Sequence, residues 1–185
     1  MTAYVNAMDA FQTNGGIIVF ATGNDQTKSE IGALAALPKW FPELRGAYLA
    51  VAYMEVRNSS TIAGSDFFQL SNPCQSAKEY CLVTDAFQIF GASWHDEGSG
   101  TSHYGNITGG GSSSASPMVS GIIALMNQAF PNHTPEMIVD RLLASANNSW
   151  FTPTGNTTFT THGNSIKHGY HDTWGHGIPD AYAAL

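Results

Sequence analysis

From the N-terminus, apolar side chains fall at Tyr4, Val5, Ala7, Met8, Ala10 and Phe11, a helical spacing over residues 2–13. Asn14-Gly15 ends that helix, as glycine does at helix C-termini. Gly16-Ile17-Ile18-Val19-Phe20-Ala21 follows as an unbroken apolar run rich in β-branched residues, the pattern of a strand buried on both faces of a parallel sheet. A helix feeding such a strand is the unit of an α/β fold. Further strands are predicted at Ala47–Val56 and Cys81–Thr84. Ser116-Pro117 reads as the opening of a helix that runs to Phe130, with proline at the first position, where its missing N–H costs nothing. The apolar members Met118, Val119, Ile122, Ile123, Leu125 and Met126 occupy nearly its whole circumference, which predicts a helix enclosed by protein. Thr134-Pro135-Glu136 is a capped helix start, and Asp180 caps a last short helix over Ala181–Leu185. Trp94–Gly111 and 147–175 are polar and glycine-rich, hence loops or short hairpins. With no repeat and no linker, one α/β unit is expected.

At 185 residues the chain is one domain or part of one. Its 43% hydrophobic content supports a real core, whereas its 11% charged content is far below the roughly 25% of an average chain. A net charge of −7 without a Lys/Arg cluster excludes the electrostatic footprint of a nucleic-acid binder and of a polybasic membrane anchor. The longest apolar runs, Tyr48–Met54 and Ile122–Met126, fall far short of the roughly 18–20 residues that span a bilayer. Residues 1–20 lack basic residues and are not read as a signal peptide. Cys74 and Cys81 have no second cysteine pair to complete a zinc site. They are either buried thiols or a small loop-closing disulfide, and the polar, weakly charged composition leans toward an oxidising compartment.

Two segments can carry chemistry. Ala21-Thr22-Gly23-Asn24 leaves the first strand at its carboxyl end, where open parallel sheets bind ligands, and the Asn24 amide could donate to an oxyanion. The competing reading is an ordinary Gly-Asn turn. Gly109-Gly110-Gly111-Ser112-Ser113-Ser114-Ala115-Ser116-Pro117 runs straight into the most apolar helix, which a flexible linker would not do. A serine at that helix start sits where backbone N–H groups and the dipole favour negative charge. A phosphate loop fails for want of Gly-Lys-Ser/Thr, and a hydrolase nucleophile elbow for want of flanking glycines. His162, His168, His171 and His176 lack helical ligand spacing and are read as surface imidazoles.

In this order the segments resemble the subtilisin-like serine proteases (subtilases), over about residues 2–185. Ala21-Thr22-Gly23-Asn24 resembles the strand-end motif that carries the family's oxyanion asparagine. Gly111-Ser112-Ser113-Ser114-Ala115-Ser116-Pro117 resembles its nucleophile motif, usually Gly-Thr-Ser-Met-Ala-x-Pro. Val119-Ser120-Gly121, Thr134-Pro135-Glu136 and the ending Gly175 to Leu185 continue the likeness. Ser71-Asn72-Pro73-Cys74 through Tyr80-Cys81-Leu82 resembles the cysteine-containing stretch of autotransporter-type bacterial subtilases. Thr84-Asp85-Ala86 departs from the Ala-Pro-Gly usual after that stretch.

The resemblance implies an α/β, partial subtilisin-like three-layer fold, with a parallel sheet and a buried central helix starting at the nucleophile. It further implies Ser113 as nucleophile, Asn24 and the Ser113 N–H as oxyanion donors, and Ala21, Thr22, Gly23 and Ser112 along the substrate wall. A Cys74–Cys81 disulfide, a peptide or protein substrate, and a secreted or bacterial cell-surface location follow on the same ground. The family's catalytic Asp and His precede its oxyanion Asn and have no counterpart here, so the chain is expected to be the C-terminal portion of a peptidase domain. Its missing first part is then a candidate partner. No cofactor is expected; some family members bind calcium, but no contiguous loop here presents an oxygen-ligand pattern. Two other readings stand beside an incomplete endopeptidase. One is an inactive remnant serving as a surface binding or structural module, the other a self-sufficient esterase using His95 or His103.

Overall fold

The structure, a computed structural model, describes residues 2–57, 66–93, 103–107 and 110–185, with backbone alone over 90–93 and 103–107. Its centre is β2 (Tyr48–Val56), the longest of the strands among the described residues. On one side β1 (Ile18–Ala21) runs parallel to it, Ile18 opposite Tyr48. Further along that side lies the antiparallel β3 (Phe67–Gln69), Met54 opposite Gln69. On the other side β4 (Cys81–Asp85) is parallel, Ala50 opposite Cys81.

Strand periodicity of two divides the apolar residues between two cores. Ile18, Tyr48, Ala50, Ala52, Met54, Cys81 and Val83 face one side, where α1 (Thr2–Thr13) contributes Val5 and Met8. Short 3-10 turns at Leu37–Lys39 and Pro42–Ala47 complete that layer through Leu37 and Leu44. Leu49, Val51 and Leu82 face the other side and meet α2 (Ser112–Ala129) and α3 (Pro135–Ala144). Helices, sheet and helices thus form three layers, as the family resemblance implies. Thr134 caps α3 by accepting from the Met137 N–H, and Asp180 caps α4 (Ala181–Ala184) by accepting from the Ala183 N–H.

Two antiparallel hairpins lie off the main sheet. One pairs β5 (Ile89–Ser93) with β6 (His103–Ile107), and the other pairs β7 (Gly155–Phe159) with β8 (Ile166–Tyr170). The rest of Trp94–Gly111 lies outside the described residues up to Gly110. Past the second hairpin the chain returns alongside β4. There the His176 N–H donates to Cys81 O and the Val83 N–H donates to Gly177 O. Cys74 and Cys81 form a disulfide, with Cα atoms 5.9 Å apart.

Three expectations need correction. The helix after the serine tract starts at Ser112, not Ser116, and holds Pro117 in its interior. Its start is set by a distant side chain rather than a local cap, as described below. Proline at that depth removes the donor that would have met the Ser113 carbonyl. Secondly, the same helix is not enclosed on all sides: Met118 is 43% and Leu125 52% exposed. Val119, Ile123 and Met126 face the core, the Met118 sulfur accepts from the Thr84 hydroxyl of β4 while the rest of its side chain is open, and Leu125 is half in solvent. Thirdly, His176 is no surface imidazole, because it is fully buried with its ring against Phe159 and Tyr170. His168 is half-buried, and its Nδ1 lies 2.9 Å from His176 Nδ1.

Candidate active site

The loop after β1 and the first turn of α2 meet through one amide. Asn24 Oδ1 accepts from the Ser112 N–H at 2.8 Å and from the Ser112 hydroxyl at 2.7 Å. A backbone N–H can only donate, so the amide oxygen must face Ser112 and the NH2 must turn away. Asn24 thereby replaces the local cap that Gly111 cannot supply, and satisfies one of the four orphan N–H groups of the helix start. The approach requires glycine on the other side. A Cβ on Gly111 would sit 2.9 Å from Asn24 Nδ2, and one on Gly110 would overlap the Ala86 carbonyl.

Ser112 lies under the surface, 1% exposed. Its hydroxyl accepts from the Gly23 N–H at 3.2 Å while donating to Asn24, so both of its roles are committed. Ser113, the next residue, is exposed, and neither its hydroxyl nor its N–H has a partner among the described residues. Asn24 Nδ2 is likewise without a partner there. The first turn of α2 therefore presents an unspent hydroxyl, an unspent N–H and a nearby unspent amide donor, at the positive end of a helix dipole.

Thr22 is fully buried, with its N–H donating to Val51 O and its Oγ1 unpartnered among the described residues. The N–H groups of Thr22 and Gly23 are thus spent inside the fold, and Ala21 is paired with Val51 in the sheet. This segment can offer a neighbouring molecule a wall, not free N–H donors. Asp25, beside Asn24, is held below the usual carboxylate range by the Thr27 hydroxyl and N–H.

No histidine, carboxylate or lysine among the described residues is hydrogen-bonded to Ser113. His95 and the His103 side chain lie outside the described residues. His168 and His176 are engaged elsewhere, bonding Ala146 O and Glu79 O. Burial pushes His176 down to about 3, with His168 adding in the same direction, and burial lowers His168 as well. Among the described residues no three His, Cys, Asp or Glu side chains converge as a metal site would require, and no helix is long and apolar enough to cross a membrane. Sequence reasoning missed the bracing role of Ser112 and the anchoring role of Asn72, described below. No spacing signal marks either one.

Comparison with known proteins follows this geometry. The model of the subtilase family matches residues 1–172. Serotype-specific antigen 1 of Mannheimia haemolytica is 29% identical over 133 residues, 70% of this chain and 13% of that protein. The prenylagaramide maturation protease PagA superposes with a TM-score of 0.63 at 22% identity, covering all of this chain and 54% of that one. Fervidolysin from Fervidobacterium pennivorans, a keratinolytic enzyme related to subtilisin, gives 0.63 at 23% identity, covering 97% of this chain and 24% of that one. The chain thus spans about half of one matched structure and a small fraction of the matched antigen.

Proposed function

Because the chain belongs to the subtilase family, we propose that it supplies the nucleophile and oxyanion donors of a serine endopeptidase. The observation that carries this reading is the contrast between adjacent hydroxyls, Ser112 fully spent and Ser113 without a partner among the described residues. Ser113 Oγ attacks the scissile carbonyl as its proton passes to a base. The carbonyl oxygen, now negative, takes hydrogen bonds from Asn24 Nδ2 and the Ser113 N–H. Collapse expels the amine, which receives the proton, and leaves an acyl group on Ser113 that water then removes. Ala21-Thr22-Gly23 forms part of the wall along which a peptide substrate lies, with Ser112 bracing it from below.

The base is proposed to come from a segment outside these 185 residues, carrying the family's Asp and His. The edge of β1, which has no partner strand among the described residues, suits such a segment, since Asn24 follows β1 and holds the turn that bears Ser113. Residues 1–185 are then the C-terminal portion of a peptidase domain. A secreted or bacterial cell-surface location fits the disulfide and the likeness to an antigen. The experiment is fluorophosphonate labelling and peptide turnover of the polypeptide as its gene encodes it. Ser113→Ala should abolish labelling and lower turnover by about 10⁶, and Asn24→Ala should lower turnover by about 10²–10³.

A second reading is favoured by the lack of any base bonded to Ser113 among the described residues. It is a catalytically inactive subtilase relative serving as a surface binding module. Absence of labelling in the complete gene product, with Ser113→Ala silent, would select it.

A further inference from the structure

Resting on the oxyanion reading above, we infer that Asn72 is the positioning residue for Asn24, reaching it through the loop that follows β1. Asn72 is 8% exposed and lies on the stretch between β3 and the disulfide, far from Asn24 in sequence. Its Oδ1 accepts from the Asp25 N–H at 3.0 Å and its Nδ2 donates to Glu30 O at 2.9 Å. Its own N–H donates to Gly23 O at 3.0 Å. Three bonds from one residue therefore grip the chain immediately before Asn24, immediately after it, and at the far end of the loop.

The grip is steric as well as polar. Gly23 has φ +110°, a conformation that side-chain-bearing residues rarely adopt, and a Cβ there would sit 2.5 Å from Asn72 Oδ1. Asn72 and Gly23 are thus in contact, so the turn that aims Asn24 at α2 cannot relax without displacing Asn72. Loop closure by the Gly32 N–H on Thr22 O ties the base of the same loop. Asn72 itself sits two residues before Cys74, whose disulfide to Cys81 anchors it to the start of β4. A line of support therefore runs from the sheet through Cys74 and Asn72 to the amide facing Ser112. Asn72 touches neither Ser112 nor Ser113 by any hydrogen bond, which makes it a positioning residue and not a catalytic one.

Asp is the informative substitution. A carboxylate at this position keeps the acceptor for Asp25 N–H but sets a second oxygen against Glu30 O. Protonation turns that oxygen into an O–H donor and rebuilds the asparagine pattern. Amide hydrogen exchange on the 185-residue chain, expressed as protection factors, reads the effect at the Ser112 N–H. Asn72→Ala should lower Ser112 protection at least tenfold while leaving Val83, in the centre of β4, unchanged. Asn72→Asp should do the same at pH 7 and recover toward wild type at pH 5, where Asn72→Ala does not. Unchanged Ser112 protection in Asn72→Ala overturns the inference. If Asn72→Ala also exposes Val83, the Asp variant decides: recovery on acidification supports the role, and no recovery overturns it.

Failure of the oxyanion reading shows separately. Asn24→Ala would release Ser112 in exchange yet leave peptide turnover by the complete gene product intact. In that product, Asn72→Ala should lower kcat at least tenfold with KM little changed, and add nothing further in an Asn24→Ala background. Additive effects there would overturn the coupling.

Discussion

The two flanks of the central sheet are finished differently. Beyond β4 the edge is closed: residues 174–178 bond to it through His176 and Val83, and the disulfide clamps its start. Trp150 meets Trp174 of that returning segment and Phe151 edge-on, and reaches across the sheet face to stack on Phe67 of β3. Beyond β1 the edge has no partner strand among the described residues, and α2, which packs below β1 and β2, leaves Leu125 half in solvent. The same sheet is complete on one side and unpaired on the other. Asn24, Ser112 and Ser113 all lie on the unpaired side. The closed flank is where stability resides, whereas the open flank carries the candidate chemistry and has surface left to bury.

That contrast can be broken from the closed side first. Trp150→Ala removes a large, nearly buried ring from an aromatic cluster and should cost about 3–5 kcal/mol of unfolding free energy, read by urea denaturation. A loss under 1 kcal/mol would mean that the flank is not the stable half. Replacing Cys74 and Cys81 together by Ala opens a short loop, which on the chain-entropy model costs about 2.5 kcal/mol. The same pair of changes should also lower Ser112 amide protection, because the loop bearing Asn72 loses its anchor.

Acid should strike the closed flank next. His176 titrates at about 3 in the folded chain against about 6.5 unfolded, because burial among Phe159, Tyr170 and His168 disfavours its charge. Between those values the unfolded chain binds a proton that the folded chain does not. The stabilisation is therefore complete above pH 6.5 and lost as pH falls below it, by up to about 1.4 kcal/mol per unit. Burial of His168 acts in the same direction. Urea unfolding at pH 7.5 and pH 5 should differ by about 2 kcal/mol, and His176→Gln should reduce that difference. The hydrogen-bond geometry makes the test sharp. His168 Nε2 and His176 Nε2 both face carbonyls and must donate, so the contact between the two Nδ1 atoms needs a third hydrogen. Stability rising below pH 6.5 would show that the pair holds that extra proton.

Much of this architecture is legible in the residues, because it is local. The apolar run through Tyr48–Met54, the cap at Thr134 and the glycine after residue 13 each act within a few positions. The start of α2 was not legible, because its N–H is capped by a side chain from another element 88 residues away. Ser116-Pro117 looks locally like a better start and is overruled by that contact. The burial of His176 was hidden for a similar reason: a histidine in a polar, glycine-rich segment gives no sign that the segment folds back on β4. Of the candidate site, the identities of Asn24 and Ser113 were readable from motif resemblance, whereas the bracing by Ser112 and the grip of Asn72 needed coordinates.

The smallest expected effect is the one that tests the open flank itself. Met118 and Leu125 are the half-exposed apolar residues of α2, Met118 touching Thr84 through its sulfur alone. In the 185-residue chain, Met118→Lys and Leu125→Lys should each change unfolding free energy by no more than about 0.5 kcal/mol, as surface substitutions do. In the complete gene product the same lysines would meet the proposed covering segment. A buried, unpaired ammonium should then cost several kcal/mol, or prevent folding. The informative quantity is the difference between the two contexts for one substitution, since propensity and charge effects on the helix are common to both. Equal, small effects in both would mean that α2 stays bare and that the open flank is a finished surface. A loss of 2 kcal/mol or more in the short chain alone would mean that the face is already covered and that the two flanks are alike. A large cost confined to the complete product would instead place the missing layer on α2, against the turn that holds Ser113.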